Sequence, residues 1–168
     1  MPAARLSALD ASFLEVESPS AHMHVGWAAA FAPPAGRRRR FADLRDHVAA
    51  RMGRARRYRQ RLAGVPLGLH DPVWVDDERF DVDRHVHRSS CGDLGALADA
   101  VMSQPLPRDR PLWELWIADR LDDGRIGVVG KAHHAMVDGL AAVELAALLL
   151  DPVPDPPAPE RDDWRPAE

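Results

Sequence analysis

The chain has 168 residues, enough for one domain with a real core, and its 46% apolar and 29% charged content is that of a globular protein. Lys and Arg number 22 against 26 Asp and Glu, and the resulting formal charge of −4 excludes a molecule built to coat nucleic acid. One cysteine, Cys91, excludes an internal disulfide or a multi-cysteine zinc site and fits a reducing cytoplasm.

The N-terminus, Met1-Pro2-Ala3-Ala4-Arg5-Leu6-Ser7, lacks a secretory apolar region, and no apolar run approaches the about 20 residues needed to span a bilayer. Any membrane contact is therefore expected to be peripheral. Ser7 to Glu17 reads as a short helix with Leu6, Leu9, Phe13 and Leu14 as its apolar positions, stopped by Ser18-Pro19. His22 to Ala32 is free of breakers until Pro33-Pro34 and reads as a strand. A loop from Pro33 to Arg40 follows. Phe41, Leu44, Val48 and Met52 then recur at helical spacing.

Arg51, Arg54, Arg56, Arg57, Arg59 and Arg61 make a dense cationic run at the end of that helix. A solvated face is its default reading; anionic lipid head groups or the phosphates of a nucleotide are the alternatives. Val73 to Val75 and Phe80 to Arg88 look extended, the second with Phe80, Val82 and Val86 on one face and Asp81, Asp83, His85 and His87 on the other. His22 with His24, and His85 with His87, each present two imidazoles at strand spacing, but neither pair has an evident third metal ligand. Asp93 is expected to cap a helix carrying Leu94, Leu97, Ala98, Val101 and Met102, ended by Pro105.

Leu112 to Leu121 and Arg125 to Ala132 are rich in strand formers, and Asp122-Asp123-Gly124 between them is a hairpin signal. Trp113 and Trp116 should fall on opposite faces of the first strand. Ile126 to Gly130 is apolar or small on both faces, as in a buried central strand. A helix is expected from Gly139 to about Leu150. The proline-rich stretch 151–168 reads as an interdomain linker or tail. Taken together, the pattern predicts an α/β sandwich of two layers with a mixed, largely antiparallel sheet over residues 1–150.

The chemistry gathers at His133-His134-Ala135-Met136-Val137-Asp138-Gly139, where a buried strand runs into a helix. Neighbouring side chains of a strand point to opposite faces, so the two histidines cannot share one role. One should face a cavity and the other should pack inside. Asp138 suits a helix N-cap, and Gly139 lets the chain turn without a side chain in the way. From spacing alone, a packed histidine plus a helix cap explains the segment as well as a catalytic site does. Cys91 beside Gly92 is a lone loop thiol, and there is no Gly-x-Ser-x-Gly elbow.

The same segment resembles the HHxxxDG motif of the bacterial wax ester synthase/diacylglycerol acyltransferase family, within the chloramphenicol-acetyltransferase-like and condensation-domain group. Leu6 to Leu14, Met23-His24-Val25-Gly26, Phe80 to Val86, Pro105-Leu106 and Pro111-Leu112-Trp113-Glu114 are also similar to family segments and occur in the family's order, so the resemblance covers residues 5–150. It implies transfer of a fatty acyl group from acyl-CoA, as co-substrate and with no bound cofactor or metal, to a lipid alcohol acceptor: diacylglycerol or a long-chain alcohol. It further implies His134 as general base, His133 as support, and Asp138 and Gly139 as structural residues, with Asp138 paired to an arginine. Arg5, Arg110 and Arg120 are candidates for that arginine.

A base near pH 7 suits activation of a neutral alcohol, and a thioester already carries a good leaving group, so no covalent nucleophile is required. The family's second, C-terminal half-domain is a further expected partner, completing a tunnel around the base. Alone, the chain is expected to be inactive and to expose an apolar face beside His134. A cytoplasmic place, at most peripheral to the inner membrane face or a lipid droplet, is implied. Rival readings are an enzyme esterifying polyketide-type alcohols, a non-catalytic interaction module, and a metal hydrolase using His133, His134 and Asp138; adjacent strand histidines diverge, which disfavours the last.

Overall fold

The structure is a computed structural model that describes residues 3–33, 39–52, 55–137 and 149. The chain opens with a two-residue strand, β1 (Ala4–Arg5), and helix α1 (Ala8–Val16). Ser7 caps α1 reciprocally: its hydroxyl accepts from the Asp10 N–H at 3.1 Å, and the Asp10 carboxylate accepts from the Ser7 N–H at 3.3 Å. Strand β2 (His24–Phe31) and helix α2 (Phe41–Met52) follow where the apolar spacing predicted them. Two short strands, β3 (Gln60–Ala63) and β4 (Val73–Asp76), precede β5 (Val86–Ser89) and helix α3 (Leu94–Met102). The hairpin β6 (Trp113–Ala118) and β7 (Ile126–His133) closes the described fold. Its turn needs a left-handed residue, which Gly124 supplies at φ 84°.

The main sheet has the order β2-β7-β6-β5, antiparallel except for the parallel pair β5–β6. Hence β7 is central and buried on both faces, as its small and apolar composition requires. A second antiparallel sheet, β1-β4-β3, was not foreseen from the sequence. The α/β class and the mixed, largely antiparallel sheet are as expected, although helices cover both faces of that sheet. On one face Val48 and Met52 of α2 join Trp74, Leu115, Ile117 and Ile126 in the larger core. On the other, Leu97 and Val101 of α3 pack on Ala118, Leu121 and Val129. Each such aliphatic side chain contributes about 1.5–3 kcal/mol by burial.

Two expectations are corrected. Phe80 to Arg88 is not one extended segment, because Val82–Arg84 is a turn of 3-10 helix. The Asp81 carboxylate accepts from the Asp83 N–H at 2.9 Å, a local bond that competes with strand pairing, and β5 begins only at Val86. His85 and His87 therefore do not share a face: His85 is stacked between Phe80 and Trp113, and His87 lies on Trp116. The arginine run is likewise not a solvated face. Arg51 and Arg59 are buried, Arg56 forks onto Asp76 at 3.1–3.2 Å, Arg57 lies 4.6 Å over the Trp74 ring, and Arg61 approaches Asp77 at 3.8 Å. Arg56, Arg57 and Arg61 fasten this segment to the small sheet, while Arg56 and Arg61 keep 45% and 40% of their side chains exposed. Arg54 lies outside the described residues.

Candidate active site

His133 is the last residue of the central strand, and His134 begins the turn beyond it. Their surroundings differ, although His134 lies past the end of β7 and both rings meet α1. His133 is 1% exposed and shares its sheet face with His24, its partner across β2. His134 is half-buried, and its ring stacks on Phe13 of α1 at 4.6 Å and 19°. Main-chain bonds fix the turn: the His134 N–H donates to the Met23 carbonyl at 2.8 Å, and the Met136 N–H to the His133 carbonyl at 2.9 Å.

The ring of His133 belongs to the same device. Its Nδ1 accepts from the Ala135 N–H at 3.0 Å, so the neutral ring carries its proton on Nε2. That nitrogen faces Oε1 of Glu17 at 3.5 Å. The same carboxylate oxygen lies 3.8 Å from Nε2 of His24, and Arg108 pairs with the other oxygen. His22 stacks on His24 at 5.2 Å.

Burial, joined for His24 by the charge of Lys131, holds both His24 and His133 down to about 4, while Glu17 opposes this in each. Burial pushes the Glu17 carboxyl up, but the hydrogen bond and charge of Arg108 more than offset it, so its acidity lies below the usual carboxylate range. At neutral pH the cluster is thus an ionised carboxylate between two neutral imidazoles. Lys131, two residues before His133 on the same face, is buried; its Nζ donates to the Val101 and Gln104 carbonyls at 2.9 Å and lies 3.5 Å from Glu114.

Among the described residues no group of three His, Cys, Asp or Glu is placed to hold a metal. Asp138 and Gly139, the predicted cap and hinge, lie outside the described residues, as do the expected helix from Gly139, apart from Leu149, and the linker 151–168. Arg110, one candidate partner for Asp138, bonds Asp109 at 2.9 Å and the Arg84 carbonyl at 3.3 Å. Sequence reading missed Glu17, Arg108, the role of Phe13, and the approach to His133 of His24, which it paired only with His22. The i, i+4 spacing of Phe13 and Glu17 was a visible signal, since such residues share a helix face. The approach of His24 to His133 needed the strand register, which no local pattern carries.

Beside the site, α1 leaves Leu9 64% and Val16 59% exposed, one on each side of Phe13. An apolar face next to His134 was expected of an isolated half. Among the described residues no helix is long and apolar enough to cross a membrane.

Residues 6–168 match the family described as "Wax ester synthase/diacylglycerol acyltransferase catalytic domain". Two relatives from Mycobacterium tuberculosis are similar along most of the chain. "Probable diacyglycerol O-acyltransferase tgs3" is 36% identical over 169 residues, 96% of this chain and 62% of that protein. "Probable diacyglycerol O-acyltransferase tgs1" is 37% identical over 154 residues, 87% of this chain and 33% of that protein. The chain thus spans between a third and three-fifths of the length of these relatives.

Among solved structures, the wax ester synthase/diacylglycerol acyltransferase of Marinobacter aquaeolei VT8 superposes with a TM-score of 0.73 at 26% identity, over 98% of this chain and 43% of that one. The first condensation domain of the calcium-dependent antibiotic synthetase shares the fold, with a TM-score of 0.68 at 18% identity over 89% of this chain and 36% of its own. The chain belongs to the wax ester synthase/diacylglycerol acyltransferase family.

Proposed function

We propose that this chain is the base-bearing part of an O-acyltransferase that moves a fatty acyl group from acyl-CoA to the hydroxyl of diacylglycerol or a long-chain alcohol. His134 is the general base. The observation that carries the assignment is the difference between the adjacent imidazoles: His133 is enclosed and has its ring engaged, whereas His134 is half-buried on the side of an exposed apolar face. In the reaction the acceptor hydroxyl gives its proton to His134 as its oxygen attacks the thioester carbonyl. The C–S bond then breaks, and the proton passes to the departing CoA thiolate. Ester and thiol are the products.

Attack builds negative charge on the carbonyl oxygen, and donors aimed at it are commonly worth about 3–4 kcal/mol. Leu9 and Val16, exposed beside Phe13, support a further wall at this point, which the family's C-terminal half would supply. The test is an acceptor panel of diacylglycerol, hexadecanol, a sterol and a polyketide alcohol with radiolabelled palmitoyl-CoA, run on the chain alone and with a family C-terminal half added. His134→Ala should lose about 10²–10⁴-fold in kcat while the fold persists. Near-normal turnover by that variant would end the assignment.

A further inference from the structure

Helix α1 reaches both histidines of the motif from one face. Phe13 stacks on the His134 ring, and Glu17, four residues later at the C-cap, faces the His133 ring. We propose that Glu17 is a positioning residue for His134, acting through His133; this rests on the reading of His134 as the base. Two contacts in series carry the effect, Glu17 to His133 and His133 to Ala135; Arg108 holds only the far oxygen of Glu17. The near oxygen faces Nε2 of His133 at 3.5 Å. Nδ1 of His133 then accepts the Ala135 N–H at 3.0 Å. Ala135 and His133 flank His134, so the His133 ring is a brace across the turn that aims the base.

The polarity of the brace is determined. A neutral ring whose Nδ1 accepts from the backbone must offer a proton from Nε2, and that proton needs an acceptor. Glu17 is the facing carboxylate, its side chain 15% exposed and its helix anchored by the Ser7–Asp10 capping box. His24 approaches the same oxygen at 3.8 Å, and Nε2 of both His133 and His24 is enclosed and stands just short of hydrogen bonding to it. Two buried imidazoles thus converge on one oxygen. Were Glu17 replaced by Gln, the amide would offer His133 either a weaker carbonyl acceptor or an N–H donor. The ring would be free to turn, the Ala135 N–H would lose its partner, and the His134 ring would shift against Phe13. Displacing a base by about 1 Å can cost on the order of 100-fold in rate.

A plain ion pair between Glu17 and Arg108 would act differently, because either partner's loss would then matter equally. The test therefore compares Glu17→Gln, Arg108→Gln and His134→Ala in the preparation in which the unaltered chain turns over, with unfolding followed in parallel. Imidazole ¹⁵N NMR of the 168-residue chain reports the His133 ring directly. Glu17→Gln is expected to lose about 10–100-fold in kcat, with KM for acyl-CoA within about two-fold, and to lose the single Nε2–H tautomer of His133. Arg108→Gln, which leaves the carboxylate in place, should lose less than about three-fold. Equal losses in the two variants would reduce Glu17 to a stabilising ion pair and overturn the proposal. So would an unchanged kcat in Glu17→Gln beside an inactive His134→Ala. Turnover retained by His134→Ala is a separate failure, that of the base assignment. If Glu17→Gln does not fold, Glu17→Asp withdraws the carboxylate by one methylene, and an unchanged kcat there overturns the proposal equally.

Discussion

Adjacent imidazoles with opposite surroundings should respond differently to the same truncation. His133→Ala removes a ring that is 1% exposed, strands the Ala135 N–H and leaves a void beside Glu17 and His24. A cost of about 2–4 kcal/mol is expected, the sum of a cavity and an unsatisfied donor. His134→Ala removes only a stacked, half-buried ring and should cost about 1 kcal/mol or less. Urea midpoints of the two variants check this, and equal midpoints would contradict the placement of His133. At this scale much was legible beforehand. That the two histidines would have different surroundings was anticipated from the strand period of two, but the strand ends at His133 and the turn beyond it sets His134. Which one lies inside was not legible, because that depends on which sheet face α1 and His24 occupy. Glu17 was passed over for a related reason: a carboxylate at a helix end reads as surface until the opposing strand is known.

Elements were legible where one local rule governs. Asp93 caps α3 by accepting the Ala96 N–H at 2.7 Å, and Ser7 caps α1, both as side-chain chemistry dictates. The segment from Phe80 failed because a side-chain bond from Asp81 diverts the backbone before strand pairing begins. The arginine run failed because its acceptors, Asp76 and Asp77, and its aromatic partner, Trp74, are distant in sequence.

Lys131 gives a test at this scale. The buried ammonium ties the C-terminal end of α3 to the central strand through the Val101 and Gln104 carbonyls and lies beside Glu114. Lys131→Met keeps most of the volume but removes the ammonium from both carbonyls and from Glu114, which retains the Trp116 indole N–H. Breaking such a buried arrangement from one side costs about 3–5 kcal/mol. Amide hydrogen exchange should show α3 losing protection before α2. Uniform protection across both helices would argue against the tie.

For the molecule as a whole, acid is the condition that the buried histidines make consequential. His24, His85 and His133 are each held down to about 4, first of all by burial, against an unfolded value near 6.5. Between those limits the unfolded chain binds more protons than the folded one. The sign follows: this stability is fully present above pH 6.5 and is lost as pH falls from there through 4. Each group adds to a slope in the same direction across this window, so acid destabilises the fold as pH falls through it.

Two of the three, His24 and His133, lie on the same Glu17 oxygen, so their proton uptake is coupled and breaks the brace under His134 as it occurs. His85, between Phe80 and Trp113, with its Nδ1 2.9 Å from the Trp113 carbonyl, titrates as part of the core instead. Urea unfolding at pH 7, 6, 5.5, 5 and 4.5 should show stability falling progressively, with the steepest loss around pH 5, before most carboxylates begin to protonate. His85→Phe should reduce that slope while leaving the part due to His24 and His133. Stability that stays level from pH 6.5 to 4.5 would mean that these rings remain hydrated in the folded state, and the enclosure of His133 would have to be abandoned with them.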